Sequence, residues 1–307
     1  MAPVVVFVGG LGRSGSTLLE RLLGELPGVC SIGETVHMWR RALVDDEPCG
    51  CGEAFSACPF WGKVGEVAFG GWDRVDPATV AELKGAVDRT RFLPRLTGAT
   101  LGASLRAGVE RYTEPYLRLY AAVREVSGAP AVVDSSKHAS LAACLRWADG
   151  VDLRVLHVVR DPRAVAYAWT KRIPRPDATP TSPEQFMATY RPPEAAAHWL
   201  AQNTAFDRLA ARGVPTLRIR YEDFVADPSG HLRQAARFAG VPEVPAGTLE
   251  GGVARLTPTH TVSGNPMRFR TGELAVRADE AWRTAPGAAR RALVSLLTLP
   301  LRRRYDY

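Results

Sequence analysis

The residues from Gly10 to Thr17, GLGRSGST, concentrate the anion-binding side chains of this chain. A glycine-bearing loop that opens a helix turns free backbone amides toward an anion, and the helix dipole adds to the attraction. Gly15 lets a phosphate approach the backbone, and Ser14, Ser16 and Thr17 offer hydroxyl donors. The spacing Gly10-x4-Gly15-Ser16-Thr17 follows the phosphate-loop pattern except that Ser16 stands where nucleotide triphosphatases place a lysine. That lysine grips the β- and γ-phosphates, so its loss argues against ATP or GTP hydrolysis. The cation sits inside the loop instead, at Arg13.

Further side chains have the types needed for proton transfer and charge stabilisation. Glu34 follows a short extended segment and opens an apparent helix, and His37 lies three residues on, where it can face the same pocket. The competing reading of Glu34 is a first-turn carboxylate that stabilises a helix N-terminus. Asp134-Ser135-Ser136-Lys137-His138 follows an apolar run, and Lys137 is one of only four lysines. Asp134 also admits a reading as a metal-holding aspartate, which would favour a kinase. Cys49, Cys51 and Cys58 are close in sequence, but a structural zinc needs four ligands. Free thiols on a turn anchored by Phe60 and Trp61 are the preferred reading. A Cys51–Cys58 disulfide, or a metal with Cys30 or His37 as fourth ligand, are the alternatives. His157 reads as a core histidine, and His260 precedes a loop that could lie near a nucleotide.

These groups need a scaffold. Val4 to Val8 is a β-branched run expected as a buried parallel strand, and Leu18, Leu19, Leu22, Leu23 and Leu26 form one helical face after the loop. Ala131 to Val133, Leu153 to Val159 and Thr216 to Ile219 read as three more strands. Helical patterns lie between and after them, including a long one from Pro192 to Arg212. Strands separated by helical crossovers predict an α/β fold, a central parallel β-sheet flanked by helices. We expect one domain over residues 1–307, a helical insert at roughly 76–127 serving as lid or packing, and a mobile Pro-rich loop at roughly 173–183.

The 307 residues are 46% hydrophobic and 23% charged, which excludes disorder. No run of about 20 apolar residues is present, so no membrane span is expected. Met1 to Gly10 lacks a basic leader pattern, and five cysteines without an export signal argue against a disulfide framework; a cytoplasmic location is the expectation. The formal charge of +7 comes from 35 arginines and four lysines against 32 acidic residues. It suits an anionic ligand or simply a solvated face, and no aromatic-studded basic stripe points to nucleic acid.

Arg13-Ser14-Gly15-Ser16-Thr17 resembles the 5′-phosphosulfate loop of sulfotransferases that use 3′-phosphoadenosine 5′-phosphosulfate (PAPS). The likeness continues through Val158-Val159-Arg160-Asp161-Pro162-Arg163, then Tyr221-Glu222-Asp223-Phe224 with Pro228 and Phe238 to Pro242, and finally Ser263 to Arg270. It is nearest in motif pattern to bacterial and tyrosylprotein-type members, and it implies a P-loop NTPase-like sulfotransferase fold. It further implies Glu34 as general base, with His37 and His138 as alternatives, and Lys137 and Arg13 as the cations on the sulfonate. Cofactor contacts are expected from Arg13, Ser14, Gly15, Ser16, Thr17, Arg160, Arg172, Tyr221, Ser263, Asn265 and Arg268. Ala168 stands where the family commonly has a serine for the 3′-phosphate, and Arg172, a helical turn on, is expected to compensate.

By this resemblance the chain would move the sulfuryl group of PAPS to a hydroxyl of a sugar, phenol, nucleoside-type natural product or lipid. The products would be a sulfate ester and 3′,5′-ADP, with no metal required. A homodimer is left open. The alternatives are a P-loop kinase-like phosphotransferase and a nucleotide-binding regulator without activity.

Overall fold

The computed structural model describes residues 2–307 apart from Pro176, Asp177, 179–183 and Pro242. Its frame is a five-stranded parallel sheet in the order β2-β3-β1-β4-β5. The strands are β1 (Val4–Gly9), β2 (Val29–Gly33), β3 (Ala131–Lys137), β4 (Asp152–Val159) and β5 (Thr216–Arg220). The α/β sheet flanked by helices is therefore the fold the sequence predicts. β1 is apolar on both faces because both faces are covered: Val5 and Phe7 enter one core layer, Val6 and Val8 the other.

Val6 and Val8 pack with α1 (Ser16–Gly24), whose Leu19, Leu22 and Leu23 are wholly buried. Each such leucine contributes about 1.5–3 kcal/mol by burial. The opposite layer is built from the connection between β2 and β3. It holds α2 (Met38–Arg41), α3 (Pro59–Phe69), α4 (Pro77–Val87), α5 (Leu93–Leu96) and the 25-residue α6 (Ala103–Ser127). Tyr112, Tyr116 and Tyr120 recur every four residues on α6 and are fully buried against that face. The helical insert thus begins near Phe55, earlier than the predicted 76, and it is principally core.

Further helices flank the sheet: α7 (Ala139–Leu145), α8 (Pro162–Trp169), α9 (Pro192–Ala211), α10 (Tyr221–Ala226), α11 (Pro228–Ala239), α12 (Ala281–Thr284), α13 (Ala288–Leu297) and α14 (Leu299–Arg304). The flanks of the Pro-rich stretch pair across a bridge, Pro174 with Phe186, and Met187 N donates to Ile173 O at 2.8 Å. The predicted mobility of 173–183 falls mostly outside the described residues.

Two features went unpredicted. β2 is a short edge strand with Cys30 and Ser31 at its centre, so it carries no apolar run. A second, antiparallel sheet joins β6 (Leu249–Glu250), β7 (Val253–Leu256) and β8 (Gly272–Ala275), and its inward residues Ala254, Leu256 and Leu274 extend the α1 layer.

β1 is the point where the chain order of the sheet reverses, with β3 on one side and β4 on the other. In open α/β sheets ligands bind beyond the carboxyl ends of strands at such a point. The phosphate loop, Glu34, Lys137, Arg160 and Tyr221 each lie at or just past one of the five carboxyl ends.

Candidate active site

The loop after β1 is held in a shape that few residues adopt. Arg13 has φ 74° and Gly15, the N-cap of α1, has φ 90°. A side-chain carbon on Gly15 would lie 2.5 Å from the Tyr221 ring, and one on Gly10 would lie 2.2 Å from Val158 O. No side chain caps α1, which leaves its first amides available to an anion. Ser14 Oγ and Arg13 Nη2 are buried without a protein hydrogen-bond partner. Leaving buried donors unpaired costs about 1–3 kcal/mol each, so a loop of this kind is completed by a ligand. Trp169 fixes the loop from outside: its Nε1 donates to Gly12 O at 2.9 Å, and the Arg13 guanidinium lies 5.5 Å from its ring centre.

Next to this loop, the Lys137 ammonium donates to Oε1 of Glu34. Their side chains are only 10% and 13% exposed, so the ion pair is largely shielded from solvent. The β1–β3 register slips between Phe7 and Gly9, and the irregularity leaves Lys137 at φ 67°. A bulge at a strand end re-aims a side chain in this way. Glu34 precedes a 3-10 turn, Thr35–His37, rather than an α-helix. His37 Nε2 is 3.8 Å from Glu34 Oε2, and the His37 and His138 rings meet edge to face at 5.4 Å. Desolvation holds both imidazoles below their usual range, reinforced at His37 by His138 and nearby cations and at His138 by Lys84 and Lys137, with His138 down to about 4.

The segment 259–264 closes over this pair. Val262 bridges to Gly33, and Glu34 N donates to Val262 O at 2.8 Å. A side-chain carbon on Gly264 would lie 2.3 Å from Glu34 Oε1. Ser263 Oγ is buried without a partner, and Asn265 lines the cleft while its side chain accepts from Met267 N.

Behind Lys137, sequence reasoning missed Glu20. It is buried on α1 and accepts from Ser31 Oγ at 2.8 Å and Ser135 Oγ at 2.6 Å. Burial pushes its carboxyl up, against the pull of Lys137 and the two hydroxyls. Asp134 also lies in the interior. It accepts from Thr35 Oγ1 at 2.5 Å, Tyr120 OH at 2.6 Å and Ser136 Oγ at 2.5 Å. It does not line the cleft, so its reading as a metal-holding aspartate fails.

Across the loop, Arg160 stacks at 4.3 Å on Tyr221 and donates to Arg13 O at 3.1 Å. Its other partner is Asp279, whose Oδ2 lies 3.3 Å from Arg160 and 4.0 Å from Lys171. Burial pushes the Asp279 carboxyl up, but Arg160 and Lys171 outweigh it and hold it below the usual carboxylate range. The second cation here is Lys171 and not the expected Arg172. Helix α8 stops at Trp169, so position 172 is not a turn further along it, and Arg172 is exposed with its guanidinium 3.7 Å from the Phe186 ring centre. Arg268 is also not aimed at the cleft. It is buried, with Nη1 donating to Thr261 O at 2.9 Å and Nη2 to Pro48 O at 2.6 Å.

A cleft of about 880 Å³ joins these groups to the helical layer. Arg13, Thr17, Glu34, His37, Lys137 and His138 form its floor. The opposite wall includes Trp39, Val80 and the Lys84–Asp88 pair at 2.5 Å, with Asp88 anchored by Tyr112 OH at 2.6 Å. The floor is charged and the wall mixed, as for a ligand with one anionic and one variable end.

Cys49, Cys51 and Cys58 gather away from this cleft, and His260 joins them rather than Cys30 or His37. His260 therefore faces the thiols and not a nucleotide. All five cysteines are free.

The site thus sets a shielded carboxylate–ammonium pair beside a glycine-bearing loop at the start of a helix, at the carboxyl ends of an α/β sheet. A family model described as "Sulfotransferase family" matches residues 3–48 and 151–245. Those segments carry the loop, Glu34 and the Arg160 element, so the chain is similar to the sulfotransferase family through the parts that form the site. No curated protein matches the sequence. Among similar solved structures, the sulfotransferase domain from the Synechococcus PCC 7002 olefin synthase is 20% identical, with 99% of this chain and 94% of that one covered and a TM-score of 0.47. The sulfotransferase domain from the curacin biosynthetic pathway is 16% identical, with 96% and 97% covered and a TM-score of 0.47. Sulfotransferase STF1 from Mycobacterium tuberculosis H37Rv is 17% identical, with 78% and 68% covered and a TM-score of 0.41. Among the described residues, no helix is long and apolar enough to cross a membrane.

Proposed function

We propose that this chain is a sulfotransferase that uses PAPS as donor and a hydroxylated small molecule as acceptor, giving a sulfate ester and 3′,5′-ADP. The observation that carries the reading is the phosphate loop, where Arg13 Nη2 and Ser14 Oγ are buried donors without protein partners beside the Glu34–Lys137 pair. An anion fits there on charge and on hydrogen-bonding capacity. When bound, the donor supplies a sulfuryl group already activated by its phosphate leaving group.

The chain's own residues then have distinct tasks. Arg13, Ser14, Ser16, Thr17 and the first amides of α1 hold the 5′ end. Arg160 and Lys171 hold the 3′-phosphate where Asp279 now lies. Glu34 takes the acceptor's proton as the acceptor oxygen bonds to sulfur. Lys137 neutralises the phosphate oxygen as its bond to sulfur breaks. Positioning and fixed charge carry such a transfer, as in phosphoryl transfer. Burial disfavours the charged imidazolium of His138, which lowers its capacity to take a proton. The kinase alternative loses support because Ser16 replaces the loop lysine and Asp134 is committed to the interior.

Calorimetry tests the donor. 3′,5′-ADP should bind, and Arg13→Ala should weaken it; tight binding of ATP with Mg²⁺ in its place would overturn the reading. Transfer of label from [³⁵S]PAPS to a pool of hydroxylated metabolites tests catalysis, and the inactive-regulator alternative requires that no label move.

A further inference from the structure

We propose that Cys49, Cys51, Cys58 and His260 bind a structural zinc ion. The four ligand atoms lie within 4.8 Å of one another. Cys58 Sγ is 3.7 Å from Cys49 Sγ and 3.8 Å from Cys51 Sγ, while His260 Nδ1 is 3.3 Å from Cys58 Sγ and 3.7 Å from Cys49 Sγ. A tetrahedral zinc with Zn–S near 2.3 Å and Zn–N near 2.0–2.1 Å has S–S edges of about 3.8 Å and S–N edges of about 3.6 Å. The four edges given match that tetrahedron closely, and the remaining two are no longer than 4.8 Å.

The surrounding structure fixes the ligands before any ion arrives. Cys49 N donates to Glu53 O at 2.8 Å and Gly52 N to Cys49 O at 2.9 Å, which folds the C-x-C turn back on itself. Gly50 N donates to Thr261 O at 2.8 Å, and a side-chain carbon at Gly50 would lie 2.5 Å from Thr261 Oγ1. The His260 ring stacks on Phe60 at 4.7 Å and 12°, and Trp61 Nε1 donates to His260 O at 2.8 Å. Such supports orient metal ligands.

A disulfide is the weaker reading. It needs one sulfur pair to close, and Cys58 stands almost equally far from two partners. Three soft thiolates and one imidazole suit zinc, and four protein ligands leave no open position for catalysis. Binding releases the thiol protons to water. Three thiolates and a dication leave one net negative charge, and the Arg268 guanidinium bridges Pro48 and Thr261, which flank the ligands on both strands of chain. None of the four ligands lines the cleft, so the ion clips the 49–58 turn to the segment that continues through Val262 to Gly264 against Glu34. The site does not depend on the reaction proposed above.

The test is metal analysis of the full chain, purified without an affinity tag from zinc-replete medium. One zinc per chain is expected, with an X-ray absorption spectrum of three sulfurs and one nitrogen. Cys58→Ser and His260→Ala should lose the ion. His260→Cys should keep it and change the spectrum to four sulfurs, which separates loss of a ligand from loss of fold. Glu34→Gln should retain the zinc in full. A chain that is metal-free and takes up neither Zn²⁺ nor Co²⁺ when reduced would overturn the proposal. So would a Cys51–Cys58 disulfide in freshly prepared protein, or zinc that persists in both ligand-deleting variants.

Discussion

Glu34 and Lys137 come from different strand ends, 103 residues apart, and meet in a hydrogen-bonded ion pair on the floor of the cleft. Because β2 and β3 are parallel neighbours, their carboxyl ends lie side by side, and each strand delivers one member. The carboxylate therefore keeps one oxygen, Oε2, for another partner, with His37 at 3.8 Å on that side.

Glu34→Gln keeps the shape and loses the proton acceptor. The turnover number should fall by about 10²–10⁴, the usual range for base catalysis, while affinity for 3′,5′-ADP stays the same. The acidic limb of the rate profile should vanish with it. Lys137→Met should also slow transfer, and the double variant should lose less than the product of the two effects, because the residues act as a unit. A merely structural Glu34 would show the reverse in steady-state kinetics and melting: a lower Tm with normal turnover.

Asp279 lies between Arg160 and Lys171, and under the proposed function a bound 3′-phosphate takes its place. Asp279→Asn should raise affinity for 3′,5′-ADP by about two- to fivefold, the scale of a partly exposed ion pair, and leave affinity for 5′-AMP unchanged. Arg160→Ala should lower affinity for 3′,5′-ADP alone. Calorimetry with both nucleotides checks this, and equal changes for the two ligands would remove Arg160 and Asp279 from the 3′-phosphate.

His157 is buried on β4, with Nε2 2.8 Å from Asn203 Oδ1. Burial pushes it from 6.5 to about 4. Between those values the unfolded chain takes up a proton that the folded chain refuses, so this residue costs stability as pH falls. The melting temperature of His157→Gln relative to the native chain should therefore shift in the variant's favour from pH 6.5 down to 4. A difference independent of pH would show that His157 is not held neutral.

The glycine-bearing loop between β1 and α1 was legible in the sequence because its parts are contiguous, and strand and helix patterns bracket them. The partnership of Glu34 with Lys137 was not, since it depends on strand order and β2 carries no apolar run to betray it. Arg172 was misplaced for a local reason: α8 ends before it, and helical spacing does not extend past a helix end. The rarity of lysine, which singled out Lys137, applied equally to Lys84 and Lys171. Lys84 and Lys137 line the cleft and Lys171 stands beside Arg160, which leaves only Lys63 elsewhere. His260 could not be matched to the cysteines by spacing, because about two hundred residues separate them.

The outer wall of the cleft rests on α4, and α4 rests on α6 through the contact of Tyr112 with Asp88, all within the stretch between β2 and β3. The loop after β1 leads into α1, whose leucines pack in the other core layer. The wall and the loop therefore have separate supports, so substitutions on α4 and α6 can reshape the wall without touching α1.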